Sequence, residues 1–200
     1  MMTEVEKKQC GQIYDARDPQ IRKQYNEAKE WARIYNSLSV VDMESRNKTL
    51  RSFIGEVGKN VRVNQPFFID YGYNISLGDN CFINMNCTLL DAGQITIGKN
   101  TLLGPDVKIY TATHPLCGRE RFWREENGTT AVKTWTKPVK VGHDTWIGGG
   151  SVILPGVEIG NNVVIGAGSV VSDSIPDNAI AFGNPCKVQS WNQPLEAEEK

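Results

Sequence analysis

Aliphatic residues return at every sixth position along the second half of the chain: Val141, Ile147, Ile153, Ile159, Ile165 and Val171. A period of six fits neither the helical turn nor the two-residue alternation of a half-buried strand, so a repeat architecture is considered first. Each hexad reads as a short flat strand followed by a corner. A longer phrase marks one of these corners again and again: Val57-Gly58-Lys59-Asn60-Val61, Leu77-Gly78-Asp79-Asn80-Cys81, Ile97-Gly98-Lys99-Asn100-Thr101, Val141-Gly142-His143-Asp144-Thr145 and Ile159-Gly160-Asn161-Asn162-Val163. The first aliphatic of each copy points inward. The small residue four places later (Val61, Cys81, Thr101, Thr145, Val163) fills the remaining interior. Gly, Asn and Asp sit between them because the corner needs tight or left-handed backbone.

Three hexads make one coil of a β-solenoid, and stacked coils lie about 4.8 Å apart. The phrase recurs after 20, 20, 44 and 18 residues. The wide gap predicts one corner, residues 115–138, that leaves the solenoid as a long protruding loop. A sandwich of short strands would place turns every ~8–12 residues and does not explain the spacing of six.

The N-terminal segment has a helical period. Asp18-Pro19 predicts an N-cap followed by proline at the first helical position. Behind it Ile21, Tyr25, Ala28, Ala32 and Tyr35 fall on one face. A second helix is expected from Asp42, carrying Leu50, Phe53 and Ile54 towards Gly55 as C-cap. A solenoid has open apolar ends, so residues 1–55 are expected to cap the first coil of a solenoid spanning 56–186. Residues 187–200 read as a C-terminal tail, polar and acidic beyond Trp191, that frays.

The chain has 200 residues and a formal net charge of −1, which gives no footprint for nucleic acid. No apolar run approaches a membrane span, and the N-terminus lacks the apolar core of a signal peptide. Five cysteines show no CxxC pair; Cys81 and Cys87 stand at small inward positions and read as core filling. A cytoplasmic protein is expected.

Chemistry is expected where the regularity breaks. There are only two histidines. His143 occupies the variable third position of the corner phrase and reads as structural. His114 closes a hexad where the long loop departs, and imidazole is the side chain best suited to take a proton near neutral pH. Two imidazoles fall short of the three that a solenoid zinc enzyme of the carbonic-anhydrase kind requires, and no metal is expected. No Ser-His-acid arrangement, P-loop or GxGxxG motif is present. One base without a protein nucleophile fits direct transfer of an activated acyl group to an acceptor hydroxyl.

Several stretches resemble the hexapeptide-repeat maltose/galactoside O-acetyltransferases: Gly11-Gln12-Ile13-Tyr14-Asp15, the run Pro66-Phe67-Phe68-Ile69-Asp70-Tyr71-Gly72-Tyr73-Asn74-Ile75, Asn84-Met85-Asn86-Cys87, Tyr110-Thr111-Ala112-Thr113-His114-Pro115, Trp146-Ile147-Gly148-Gly149 and Gly183-Asn184-Pro185. The resemblance covers roughly residues 4–190. It implies a left-handed parallel β-helix, a homotrimer with active sites between subunits, and acetyl-CoA as donor. By position it implies His114 as catalytic base, Asp15, Asp70 and Asn84 as contacts to a sugar acceptor, and Asn84 as a second catalytic residue holding a developing oxyanion. Asp91 lies within one position of a further acceptor carboxylate of the family. Coenzyme A is expected along the later coils, near Trp146, the backbone of Gly149 and Ala167, and Ser172 and Lys187.

The chain departs from that pattern at Ser172-Asp173, where relatives carry Thr-Lys, and at Lys187, where they carry Arg. A carboxylate beside a phosphate weakens binding. The loop is also longer and carries Arg119, Arg121, Phe122, Trp123, Arg124, Trp135 and Lys137, which fit either a sugar or a neighbouring subunit. Two alternatives stay open from sequence: an acetyltransferase for an amine or xenobiotic, and a non-catalytic trimeric solenoid module.

Overall fold

Sixteen short strands of the repeat region form three parallel sheets that run down the molecule as three faces of a solenoid. The computed structural model describes residues 2–126 and 128–193. The first face stacks Glu56–Val57, Ile75–Leu77, Ile95–Ile97, Val139–Val141 and Glu158–Ile159. The second stacks Arg62–Val63, Phe82–Ile83, Leu102–Leu103, Trp146–Ile147, Val164–Ile165 and Ala179–Phe182. The third stacks Phe67–Ile69, Cys87–Leu90, Lys108–Tyr110, Val152–Ile153 and Val170–Val171.

The registers bear out the sequence period. Val57 pairs with Leu77, Leu77 with Ile97, Ile97 with Val141 and Val141 with Ile159. The same offsets align Ile83 with Leu103 and Ile147 on the second face. The inward column is fully buried at Ile97, Ile147, Ile153 and Val171, and so are Cys81, Thr101, Thr145 and Val163 in the small positions. The polar members of that column are satisfied: Thr101 and Thr145 donate to the carbonyls of Gly142 and Gly160 in the next coil. Each buried aliphatic contributes about 1.5–3 kcal/mol. At the corners Asn60, Asn80, Asn100, Asp144 and Asn162 all have φ between 54° and 59°. Their side chains also bond from coil to coil, Asn80 to Asn100 and Asn100 to Asp144.

The N-terminal segment folds into α1 (Glu4–Gln9), α2 (Pro19–Ser37) and α3 (Met43–Arg51). Asp18 and Asp42 cap α2 and α3 as expected, accepting from the backbone of Ile21 and Ser45. Ile21, Ala28, Ala32 and Tyr35 are buried, whereas Tyr25 lies on the flank of the same face and is 40% exposed. Gly55 is not the C-cap of α3. The helix ends at Ser52, and Gly55 is needed because a Cβ there would collide with the carbonyl oxygen of Tyr73.

The first coil exposes three strand edges, a template for unwanted pairing. The cap covers each one with a side chain. Asn36 donates to the Phe67 carbonyl and accepts from its N–H, imitating a neighbouring strand on the third face. Tyr35 and Arg46 both donate to the Val63 carbonyl on the second face. Arg51 donates to Val57 and Gly58 on the first. At the far end Lys187–Trp191 pairs antiparallel with Ala179–Phe182 and closes the second face. The expected fraying falls largely on residues 194–200, outside the described residues.

The long loop is a β-hairpin, Phe122–Arg124 paired with Thr130–Thr136. Its second strand threads between Ala112–Thr113 of the solenoid and Tyr14–Asp15 of the cap.

Candidate active site

That threaded strand assembles the site. Thr113 is the partner of Trp135 and Asp15 is the partner of Lys133, so His114, following Thr113, reaches the strand between them. Its Nδ1 lies 3.0 Å from the carbonyl oxygen of Lys133, with the hydroxyl of Thr134 at 3.4 Å. A carbonyl has no proton to give, so Nδ1–H is the donor, and in the neutral ring the lone pair then belongs to Nε2. His114 lines a cavity of about 570 Å³ whose wall is largely apolar, including Leu90, Tyr110, Ala112 and Leu154, with Arg121 as its cation. Arg121 is fixed by the carbonyls of Pro115 and Leu116. A neutral imidazole of defined tautomer at such a cavity has the geometry of a general base.

The three expected carboxylates differ sharply. Asp15 is gripped by Arg17, whose Nε and Nη2 reach its oxygens at 3.0 and 2.7 Å, and these bonds hold its carboxyl below the usual range. Arg17 also bonds Glu125 of the hairpin at 2.7 Å. Asp70 pairs with Lys29 of α2 at 3.0 Å. Asp91 is fully buried, which leaves it no surface through which to touch an acceptor. Its oxygens accept from the backbone N–H of Asp70, Tyr71 and Asn74 and shape the corner carrying Asp70. Burial pushes its carboxyl up, against those donors.

Beside this corner Lys8 of α1 is 1% exposed. Its ammonium lies 3.0 Å from the centroid of the Tyr71 ring and 2.9 Å from the Tyr73 hydroxyl. Burial lowers its pKa to about 7, opposed by the charges of Asp91 and Asp70.

Asn84 stands elsewhere. It follows Phe82–Ile83 at the corner between the second and third faces, whereas His114 lies past the opposite edge of the third face. Its Oδ1 accepts from the N–H of Met85 and the amide of Asn64, which directs Nδ2 outward as a donor. Gly149 and Ala167 share this corner two and three coils further on, and along it Gly104, Gly148 and Gly166 stack so closely that a Cβ on Gly104 would lie 2.5 Å from the Gly149 nitrogen. Trp146 projects from the adjoining second face, 55% exposed. Ser172 and Lys187 meet through Asp173: its carboxylate accepts from the Lys187 ammonium at 3.0 Å and from the Ser172 hydroxyl at 3.2 Å.

Sequence reasoning missed Lys133, Arg17, Lys29 and Lys8. Lys133 acts through its backbone carbonyl, which no residue type announces. Arg17 was findable, because a cation two residues from Asp15 in an extended turn faces it.

Comparison with known proteins identifies the family. The family model "Maltose acetyltransferase hexapeptide capping motif" matches residues 7–58, and "Bacterial transferase hexapeptide (six repeats)" matches residues 138–173. Nodulation protein L of Rhizobium meliloti is 42% identical over 94% of this chain and 98% of its own length. A crystal structure of a maltose O-acetyltransferase from Clostridium difficile superposes with a TM-score of 0.90 at 44% identity, covering 96% of this chain and 99% of that one. The chain belongs to the hexapeptide-repeat acetyltransferases of maltose/galactoside type. A hexapeptide-repeat acetyltransferase from Vibrio cholerae, solved in complex with acetyl-coenzyme A, superposes at 0.83 with 33% identity over 96% of this chain and 100% of its own. The parallel solenoid and helical cap expected from sequence are thus borne out, and so is acyltransferase activity.

Proposed function

We propose that this acetyltransferase moves the acetyl group of acetyl-CoA to a hydroxyl of a sugar or sugar-like acceptor, with His114 as general base. The observation that carries the reading is the bond from His114 Nδ1 to the Lys133 carbonyl, which in the neutral ring leaves Nε2 as the proton acceptor of a residue that lines the cavity. The acceptor O–H gives its proton to Nε2 as its oxygen attacks the thioester carbonyl carbon. The C–S bond then breaks, and the imidazolium returns the proton to the departing thiolate. The Nδ2 donor of Asn84 suits the developing oxyanion, where a single such donor is worth about 10²–10³ in rate.

Within one chain Asn84 and His114 stand at opposite edges of the third face, so the site requires Asn84 of a second copy, in keeping with a homotrimer. The coenzyme fits the corner of small residues at Gly149 and Ala167, with Trp146 beside it and Ser172 and Lys187 at its phosphate end. Asp15 and Asp70 border the acceptor, and Asp91 acts by holding the corner that carries Asp70. The reaction belongs to the cytoplasm, where acetyl-CoA is at hand.

Thiol release from acetyl-CoA, screened over maltose, glucose, galactosides, amino sugars and several antibiotics, tests the reading. Release with a sugar, lost in His114→Ala, is expected. Release with an amine alone would replace the acceptor class.

A further inference from the structure

A second cavity, of about 330 Å³, opens between the Ala16 turn, α2 and Tyr71. Its volume is at the lower end of the ~300–1,000 Å³ of small-ligand sites, room for one ring rather than a chain. Ile21 forms an apolar floor and is 1% exposed. Tyr25 and Tyr71 form an aromatic corner, their centroids 6.1 Å apart and their planes at 67°. Both rings are held in place: the Lys8 ammonium lies over Tyr71, and Lys29 lies 4.5 Å from the Tyr25 centroid while bonded to Asp70. Arg22 and Asn26 line the same cavity, three residues before Tyr25 and one after it on α2. Neither side chain has a recorded partner among the described residues, so their donors are available to a ligand.

The position links this cavity to the reaction. Ala16 on its rim follows Asp15, and Asp15 is the strand partner of Lys133, whose carbonyl holds His114. Asp70, paired with Lys29, adjoins Tyr71 on the other side. We infer that the cavity is a glycosyl subsite that takes a second ring of an extended acceptor, so that the enzyme prefers oligosaccharides to single sugars. The inference rests on the sugar-acceptor reading above. An aromatic corner suits the C–H face of a pyranose, and Arg22 and Asn26 suit its hydroxyls.

Calorimetric titration of glucose and of maltotriose into the intact protein and into Tyr25→Ala tests it. Tyr25 is substantially exposed, so its loss leaves the fold in place. Maltotriose is expected to bind about three- to tenfold more tightly than glucose, the span of an aromatic contact worth ~0.5–1.5 kcal/mol. Tyr25→Ala and Arg22→Ala abolish that difference and leave glucose unchanged. Equal affinities, no binding of maltotriose, or a preference that survives Tyr25→Ala overturns the subsite. Thiol release measured in parallel keeps the two readings apart. Turnover of glucose without a maltotriose preference removes the subsite alone. Tyr25-dependent binding of maltotriose without turnover of any sugar removes the acceptor assignment and keeps the subsite.

Discussion

His114 and Asp15 are tied to the same residue of the long hairpin: Lys133 accepts a hydrogen bond from the His114 imidazole through its carbonyl and is the strand partner of Asp15. The geometry around the proposed base is therefore carried by backbone. His114→Ala is expected to lower turnover by about 10²–10⁴-fold, the usual worth of general-base assistance. Lys133→Ala keeps the carbonyl, so its turnover should stay within about twofold of the parent, as expected for a surface change that leaves the hydrogen bond intact. Steady-state rates of thiol release check both, and a large loss in Lys133→Ala would move the chemistry to its ammonium.

Lys187, which we propose lies at the phosphate end of the coenzyme, is already paired with Asp173 at 3.0 Å, and that pair holds the Asp173 carboxyl below its usual range. Both side chains are largely exposed, so the pair is weak and screened by salt. Asp173→Asn removes a negative charge and releases the ammonium towards a phosphate. Coenzyme A should then bind about two- to fivefold more tightly at low salt, as befits a weak exposed pair. The gain should shrink as ionic strength rises. An unchanged dissociation constant at low salt would place the phosphates away from Lys187.

The repeat was legible because its physics is local. An aliphatic every sixth residue and an Asn or Asp at each left-handed corner specify a coil without any knowledge of its neighbours, as Asn60, Asn80 and Asn100 show. The caps at Asp18 and Asp42 are local in the same sense. The hairpin was not legible. Thr130–Thr136 becomes a strand by pairing with Ala112–Thr113 and with Tyr14–Asp15, more than a hundred residues upstream. Asp91 shows the same limit: the resemblance sets it within one position of an acceptor carboxylate, but burial and three backbone donors make it part of the frame. Nothing in the sequence marks Lys8, because its tyrosine partners belong to a distant corner.

Gly55 marks the joint between cap and solenoid. Its N–H donates to the Gly72 carbonyl, and a side chain there would strike the carbonyl of Tyr73. Backbone rather than a flexible side chain stands in the way, so relief requires the cap to shift. Gly55→Ala should cost about 1–3 kcal/mol, typical of an overpacked site. Denaturant titration measures it, and a midpoint equal to that of the parent would show that the joint yields freely.

Lys8 couples the cap to pH. Its ammonium faces Tyr71 and Tyr73, with Asp91 and Asp70 near enough to act through charge, and burial brings its pKa down to about 7 from the 10.5 of an exposed lysine. Between those two values the unfolded chain binds the proton that the folded chain has released. Stability therefore rises with pH across that window, and below pH 7 the folded protein bears the full cost of a buried ammonium. Asp91 is raised, which has the opposite slope, but it acts near and above the ordinary carboxylate range and keeps its three backbone donors without Lys8. Lys8→Met fills the same space without charge. It should stabilise the protein at pH 6.5, by up to a few kcal/mol on the linkage scale of ~1.4 kcal/mol per pKa unit. It should also flatten the rise in melting temperature between pH 7 and 10. Scanning calorimetry of both proteins at pH 6.5, 8 and 9.5 decides. Parallel pH curves would mean that Lys8 reaches water, and that the cap opens enough to hydrate it in the folded state.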